Sequence, residues 1–417
     1  MVAPDSCVPV DIVVDIAVDI VVVGAGVVGA VAALALANAG FDVAVIERAA
    51  PERAHGALGY DARTVALSPG SRALLQSVGA WPEAVACAYE RMTVWDAEGT
   101  GQLSFAASQL SPPEAALGHI VELSALTSSL WGALGRHPRV QLRAPAGIAR
   151  LMLAPHGVEL TDGTRITAQL VVGADGANSR VRELAGGQVR ARPTHQVALA
   201  AVVRHALPHD ATAWQRFLPT GPLAFLPLHD LADAPRPQRC SAVIWSCDEV
   251  YADPLRSLDD GAFAAQLTTA FEARLGVVEA VSTRICVPLV QHQALSYQPR
   301  RGVVLIGDAA HVVHPLAGQG MNLGLRDARV LTEVLSRAVG VPVALASPAL
   351  LDLYEARARA VNALAIGFMT GIQRAFAAEG VLARGARNEG LRVVDRWPAL
   401  KAQFALEAMG RGILAAA

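Results

Sequence analysis

A chain of 417 residues is long enough for two or three domains, each with a sizeable core. With 53% apolar and 17% charged residues it is not a disordered chain, and a net charge of −2 gives no electrostatic footprint for nucleic acid. Five cysteines, an odd number with no C-x-x-C spacing, argue against a disulfide framework or a metal cluster and fit a reducing cytosol.

Residues 1–18 repeat Asp-Ile units without a basic n-region, which makes a poor signal peptide. They read either as a disordered leader or as an extension of the first strand. The run Ile20 to Phe41 is long and uncharged, as a membrane span would be, but Gly24, Gly26 and Gly29 divide it into a strand and a helix. Ile20–Val23 is the predicted strand, Val27 to Asn38 the helix with Gly40 as its stop, and Asp42 to Ile46 the next strand. GAGVVG at 24–29 fits G-x-G-x-x-G. Glu47 ends the second strand 23 residues after Gly24, the spacing of an acid that binds the ribose hydroxyls of an adenosine. An acid there argues against a 2′-phosphate and fits FAD or NAD. Arg48 beside it either covers the adenine or stays solvated.

Ser68 is placed to cap a helix from Pro69 towards Val78, ended by Gly79. Arg63 lies in the extended segment before it. Arg91 to Phe105 alternates around a Gly turn and predicts a hairpin, and Gly118 to Gly135 a strand entering a helix. Ile148–Leu153, Val158–Leu160 and Ile166–Val172 predict a meander with turns at His156-Gly157 and Asp162-Gly163. Asp175-Gly176 follows, before a helix from Ser179, and makes a further backbone nest for phosphate. Val197–Val203, two strands within 212–228 and Ser241–Ser246 predict an inserted sheet that roofs a cofactor. Trp214, Arg216 and Phe217 are its candidates for a lipophilic pocket. Phe263–Leu275 is a predicted helix and Arg284–Leu289 a strand.

Val303–Ile306 is a short β-branched run that suits a buried strand. Gly307-Asp308 ends it, a loop rich in Pro and Gly follows, and Asn322 opens a predicted helix. An acid at a strand end can accept hydrogen bonds from a ribitol or ribose hydroxyl. The free N–H groups of a helix start can hold pyrophosphate or a developing anion. Gly318, Gly320 and Gly324 would let a flat ring approach the backbone. His311, like His314, stands near this loop, and His311 fits a structural hydrogen-bonding role better than that of a base. Ala349 to Ala377 has apolar residues at helical spacing, as in a helix packed on the cofactor domain. Residues 380–417 read as helical and Ala-rich, without visible chemistry. No protein nucleophile, metal cluster or triad is evident, so the catalytic residues stay unknown and no metal is expected.

GDAAHVVHPLAGQGMNLGLRDA at 307–328 resembles the second flavin-binding motif of the single-component FAD-dependent aromatic hydroxylases. Its later part is similar to the ubiquinone-biosynthesis branch, the 2-polyprenyl-6-methoxyphenol hydroxylases, and so is WQRFLPTGPLAFLPL at 214–228. GADG at 173–176 resembles the D-G motif of the family, and DARTVALS at 61–68 the segment that sets an Arg against the cofactor. At 122–123, where many relatives carry Arg or Gln towards the flavin, this chain has Glu122 and Leu123.

The resemblance spans residues 19–380 and implies an α/β fold: a Rossmann-like FAD-binding domain of the para-hydroxybenzoate-hydroxylase kind, an inserted mixed or antiparallel sheet for substrate, and C-terminal helices. It assigns 19–80, 117–190 and 285–345 to FAD, 81–116 and 191–284 to substrate, and 346–417 to a helical region. The implied cofactor set is Gly24, Gly26, Gly29, Glu47, Arg48, Arg63, Asp175, Gly176, Gly307, Asp308, Pro315, Gly318, Gln319, Gly320, Met321 and Asn322. The implied reaction uses NAD(P)H to reduce FAD, adds O₂ at the flavin C4a and transfers OH to an electron-rich phenol. The implied partners are a prenylated phenol and a ubiquinone-biosynthesis complex, in the bacterial cytoplasm, with peripheral contact to the inner face of the membrane and no transmembrane helix. Two alternatives stay open. A hydroxylase of a small soluble aromatic acid would aim Arg or Tyr at a carboxylate inside the roof, with Arg204 and Arg216 as candidates. A flavin-binding scaffold subunit of a lipid-biosynthesis complex would hold FAD without turnover.

Overall fold

The computed structural model describes residues 15–401 and 406, except 53–55, 57, 100, 232–236, 314–318, 342–343, 378–379 and 398–400. Five parallel strands lie in the order Val303–Leu305, Leu170–Gly173, Ile20–Val23, Val43–Ile46 and Val140–Arg143. The continuous apolar runs of the first four suit a sheet covered on both faces, while the edge strand Val140–Arg143 is mixed and only partly buried. The helix Val27–Asn38 is almost wholly buried and packs against Gln319–Leu335 and Leu123–Arg136. In register, Val23 pairs with Ile46 and Gly173, and Gly173 with Leu305. The loops after four strands therefore leave the sheet side by side, on the carboxyl edge where open α/β sheets take ligands.

The meander differs from expectation. His156–Leu160 is one strand, so His156-Gly157 lies inside it rather than in a turn. The run Ile166–Val172 splits into Arg165–Thr167 and Leu170–Gly173, which belong to different sheets. Asp15–Ala17 pairs in parallel with Arg165–Thr167 and does not extend Ile20–Val23. The remainder of the N-terminal segment, residues 1–14, lies outside the described residues.

A nine-stranded mixed sheet forms the roof. Its centre is the 17-residue strand Val189–His205, between Ile285–Ala294 and Cys240–Asp248. Gly221–Pro227, Thr212–Leu218, Arg91–Asp96 and Gln102–Ala106 continue it outward. The strand predicted at Arg284–Leu289 runs from Ile285 to Ala294 in this sheet and, at its far end, pairs with His311–Val312. One face packs Trp95, Leu223, Val243 and Trp245 under Phe263, Leu267 and Phe271 of the segment that includes the helix Asp260–Ala270. The other face is turned to the parallel sheet. A three-stranded antiparallel sheet, Thr64–Leu67, Gly118–Glu122 and Cys87–Tyr89, stands between them.

Pro348–Ala377 packs on Gln319–Leu335, and Tyr354 donates its hydroxyl hydrogen to Leu305 O at 2.7 Å. Val381–Arg396 follows. No helix among the described residues is long and apolar enough to cross a membrane.

Candidate functional site

The first loop is shaped by contacts that leave no room for side chains. Gly24 has φ +103°, and a Cβ there would lie 2.4 Å from Ala174 O; a Cβ on Gly29 would lie 2.0 Å from Gly24 O. Gly26 is different: it lines the central cavity, and a Cβ would meet nothing within 4 Å. The peptide groups around Ala25 are pinned from both sides. Ala25 N donates to Glu47 Oε2 at 2.7 Å, and Trp131 Nε1 donates to Ala25 O at 3.0 Å. Glu47 thus stands against the glycine loop, and Arg48 is exposed beyond it.

In the second loop the carboxylate of Asp175 is taken up by the protein itself. Oδ1 accepts from Ser179 Oγ at 2.6 Å, and Oδ2 accepts from Arg180 N at 2.6 Å and Val181 N at 3.1 Å, which caps the helix Arg180–Leu184. Gly176, at φ +83°, lines the cavity with open space before it. Arg182, which the sequence did not single out, donates to Ala177 O and to Ala309 O, both at 2.7 Å. One guanidinium therefore ties this loop to the turn after the strand Val303–Leu305.

In that third stretch the helix starts at Gln319, three residues before the predicted Asn322. Gln319, Gly320 and Met321 line the cavity, as does Asp308. Asn322 faces away from it into protein: its Oδ1 accepts from Ser68 N at 2.9 Å and Ser71 Oγ at 2.7 Å, and its Nδ2 donates to Ala66 O at 2.9 Å. Gly324 serves packing, not ring approach, since a Cβ there would lie 2.7 Å from Val28 Cγ2. Gly307, at φ +57°, also sits over Val28. His314, Pro315 and Gly318 lie outside the described residues. His311 has the structural role expected: Nε2 is 2.6 Å from Asp327 Oδ2, which also accepts from Gly307 N at 3.0 Å.

Arg63 does not line the cavity. Its guanidinium is held by buried Asp61, with Nε–Oδ1 at 3.1 Å. Glu122 turns its carboxylate to Asp61 N at 2.5 Å, which leaves Leu123 on the cavity wall.

The cavity between these loops and the roof measures about 810 Å³. Of the three pocket candidates, Trp214 and Phe217 line the cavity and Arg216 does not; the strand alternation sends Phe217 inward and Arg216 outward, while Trp214 also packs against the outer-face cluster. Trp214 meets Trp95 edge-on, and its ring lies under Arg274. Arg216 is paired with Glu272 Oε1 at 2.6 Å and donates to Ala270 O at 2.6 Å. Arg204 is 3.7 Å from Glu279. Among the described lining residues there is no Arg, Lys or His, and Asp308 is the one carboxylate. The C-terminal region does contribute, against expectation. Phe376 stacks on Phe217 at 3.7 Å between ring centroids, Val394 reaches the wall, and Asn388 Oδ1 accepts from Gly101 N at 2.7 Å.

The residues present fit FAD. Open backbone at Gly26 and Gly176, a helix start at each end of the groove, and acids at 47 and 308 suit a dinucleotide whose ring faces an apolar chamber.

Comparison with known proteins agrees. The family model described as "FAD binding domain" matches residues 17–368. The chain is 38% identical over 401 residues to 3-demethoxyubiquinol 3-hydroxylase of Escherichia coli, covering 94% of this chain and 98% of that one. It is 36% identical over 394 residues to ubiquinone hydroxylase UbiL of Rhodospirillum rubrum, covering 94% and 89%. Among solved structures, p-nitrophenol 4-monooxygenase PnpA from Pseudomonas putida superposes with a TM-score of 0.75 at 19% identity, covering 95% and 99%, a likeness of fold.

Proposed function

The chain belongs to the family of the FAD binding domain, and from that premise we propose that it is an FAD-dependent monooxygenase that hydroxylates the ring of a polyprenylated phenol in ubiquinone biosynthesis. The observation that carries the substrate class is the cavity wall. It is apolar over most of its area and has no cation among its described residues, so it suits a hydrocarbon-bearing phenol and offers no positive charge to a carboxylate. This weighs against the soluble aromatic acid, whose two candidate cations, Arg204 and Arg216, are both paired outside the cavity.

We assign the pyrophosphate of FAD to the loop Gly24–Gly29 and the start of Val27–Asn38, with Gly176 opposite. Glu47 would take the adenosine ribose, with Arg48 beside it, and Asp308 the ribityl hydroxyls. The first turn of Gln319–Leu335 would face negative charge on the flavin edge. Asp175, Arg63 and Asn322 act as positioning residues in this reading, each holding a loop rather than touching cofactor. Bound FAD, reduced by NAD(P)H, supplies the activation of O₂. The chain supplies orientation of the phenol and exclusion of water, through Phe217, Phe376 and the aliphatic walls. Segments 19–80, 117–190 and 285–345 would serve cofactor and 81–116 with 191–284 substrate, closed by 346–417. Such a substrate is held in lipid, so the reading includes peripheral membrane contact in the bacterial cytoplasm and membership of a ubiquinone-biosynthesis complex.

The test is aerobic NAD(P)H oxidation by FAD-loaded protein, with and without a short-chain prenylphenol, while product mass and H₂O₂ are followed. A gain of one oxygen with little peroxide is the expected result. Oxidation unstimulated by any phenol would sink the hydroxylase and favour a flavin-binding subunit without turnover.

A further inference from the structure

We propose that Gln215 orients the substrate ring by hydrogen-bonding its phenolic hydroxyl. The proposal rests on the reading of the cavity as the place of a prenylated phenol. The strand register lays a grid over the cavity face of the roof. Gln215 lies opposite Val94 on one side and Ala224 on the other. Val94 in turn lies opposite Leu103, and Ala224 opposite Ile244. The row Leu103, Val94, Gln215, Ala224, Ile244 crosses the roof, and every member lines the cavity. Along its own strand Gln215 has Ala213 and Phe217 on the same face.

One carboxamide therefore stands at the centre of a hydrocarbon surface. Gln215 is 7% exposed, and among the described residues its side chain makes no hydrogen bond. The amide faces the cavity without a protein partner, so a ligand that enters and displaces solvent must satisfy it, which suits the position to a ligand. Ala213 and Ala224 beside it are short and leave room for a flat ring. The amide has both halves of the required recognition: its oxygen accepts the phenol O–H, and its NH₂ donates to the phenol oxygen or to a neighbouring ring oxygen. Thr127, on the wall across the cavity, has already given its hydroxyl hydrogen to Leu123 O at 2.7 Å.

The test compares binding of a phenol bearing one isoprene unit with that of the same molecule carrying hydrogen in place of the hydroxyl. Binding to FAD-loaded wild type, Gln215→Leu and Gln215→Met is followed by fluorescence, alongside FAD content, Tm and coupled turnover. Wild type is expected to prefer the phenol by about tenfold, and both variants to bind the two compounds about equally. FAD content should be unchanged and Tm not lowered, since each variant removes an unpaired amide from an apolar wall. Should one variant fail to fold, the other carries the comparison. Variants that keep the wild-type preference, in a protein that turns the phenol over, overturn the role of Gln215 alone. Wild type that binds neither compound overturns this inference together with the proposed function.

Discussion

The imidazole of His311 and the carboxylate of Asp327 meet at 2.6 Å with both side chains about 1% exposed. Asp327 Oδ2 also receives Gly307 N, and Oδ1 receives Asn362 Nδ2 at 2.9 Å. Asn362 donates on to Tyr297 Oη at 3.3 Å. This chain of contacts links the turn that carries Asp308 to the helix Gln319–Leu335 and to the long helix Pro348–Ala377.

Asp327→Ala removes one partner of a buried pair and leaves His311, Gly307 N and Asn362 without their acceptor. The expected loss is roughly 3–5 kcal/mol. Urea unfolding measures it, and a change below about 1 kcal/mol would mean that the network is not coupled to folding.

The histidines give opposite pH dependences. Burial opposes charge on His311, but Asp327 outweighs it, and the folded value lies above the ordinary one of 6.5. The stability this contributes is complete below pH 6.5 and is lost as pH rises through the folded value. Burial lowers His205 to about 4, against the pull of the Leu207 carbonyl. Burial also lowers His119 to about 4, here helped by the Arg72 guanidinium. Those two contributions are complete above pH 6.5 and are lost as pH falls towards 4, on the order of 3 kcal/mol each. Stability of His205→Gln should therefore vary less between pH 6.5 and 4 than that of wild type. Equal slopes would show that His205 does not titrate with unfolding.

The glycines of the first loop separate packing from ligand space. Gly24→Ala forces a Cβ onto Ala174 O and should lower stability by about 1–3 kcal/mol. Gly26→Ala meets no protein atom, so Tm of the apoprotein should stay while FAD content falls. The flavin-to-protein absorbance ratio and apoprotein unfolding decide it. Full flavin content in Gly26→Ala would place the cofactor elsewhere.

Arg182→Ala cuts the bridge between Ala177 O and Ala309 O. Hydrogen bonds from a charged group set the scale, about 1.5–3 kcal/mol. FAD affinity should fall as well, measurable by titration of apoprotein, because the two loops no longer hold one spacing. Wild-type affinity in this variant would make the bridge dispensable.

Phe376→Ala opens the wall where Phe376 stacks on Phe217. The stack itself is worth about 0.5–1.5 kcal/mol. The more telling readout is coupling: with water admitted, more of the NAD(P)H consumed should appear as H₂O₂. An unchanged peroxide fraction would show that this corner does not guard the reaction.

Much of the cofactor half was legible because its signals are local. A parallel strand buried on both faces must be a continuous apolar run, as at Ile20–Val23, and the glycines at 24 and 29 answer contacts within one βαβ unit. Side-chain commitments were not legible. Asp175 precedes Ser179 in a pattern that reads equally as a ligand loop or a helix cap, and only its 2.6 Å contact with Arg180 N separates them. Asn322 and Gly324 face partners far away in sequence, Ser68 and Val28. Period-two alternation along Thr212–Leu218 does carry a local signal: it sets Arg216 and Phe217 on opposite faces.

The sequence by itself determined the βαβ unit around Gly24–Gly29, the strand and helix on either side of 307–318 and the family, because glycine spacing, strand-terminal acids and helix starts are encoded within a few tens of residues. It could not say which face of the strand Thr212–Leu218 looks inward. Arg216 and Glu272 became outer-face packing, and Gln215 and Phe217 cavity wall, only because Phe263, Leu267 and Phe271 cover the opposite side of the roof. Nor could it bring Phe376 to Phe217 or Val394 to the same wall. Those contacts join residues more than a hundred positions apart. They are set by how two apolar faces pack out of water, which no local pattern records.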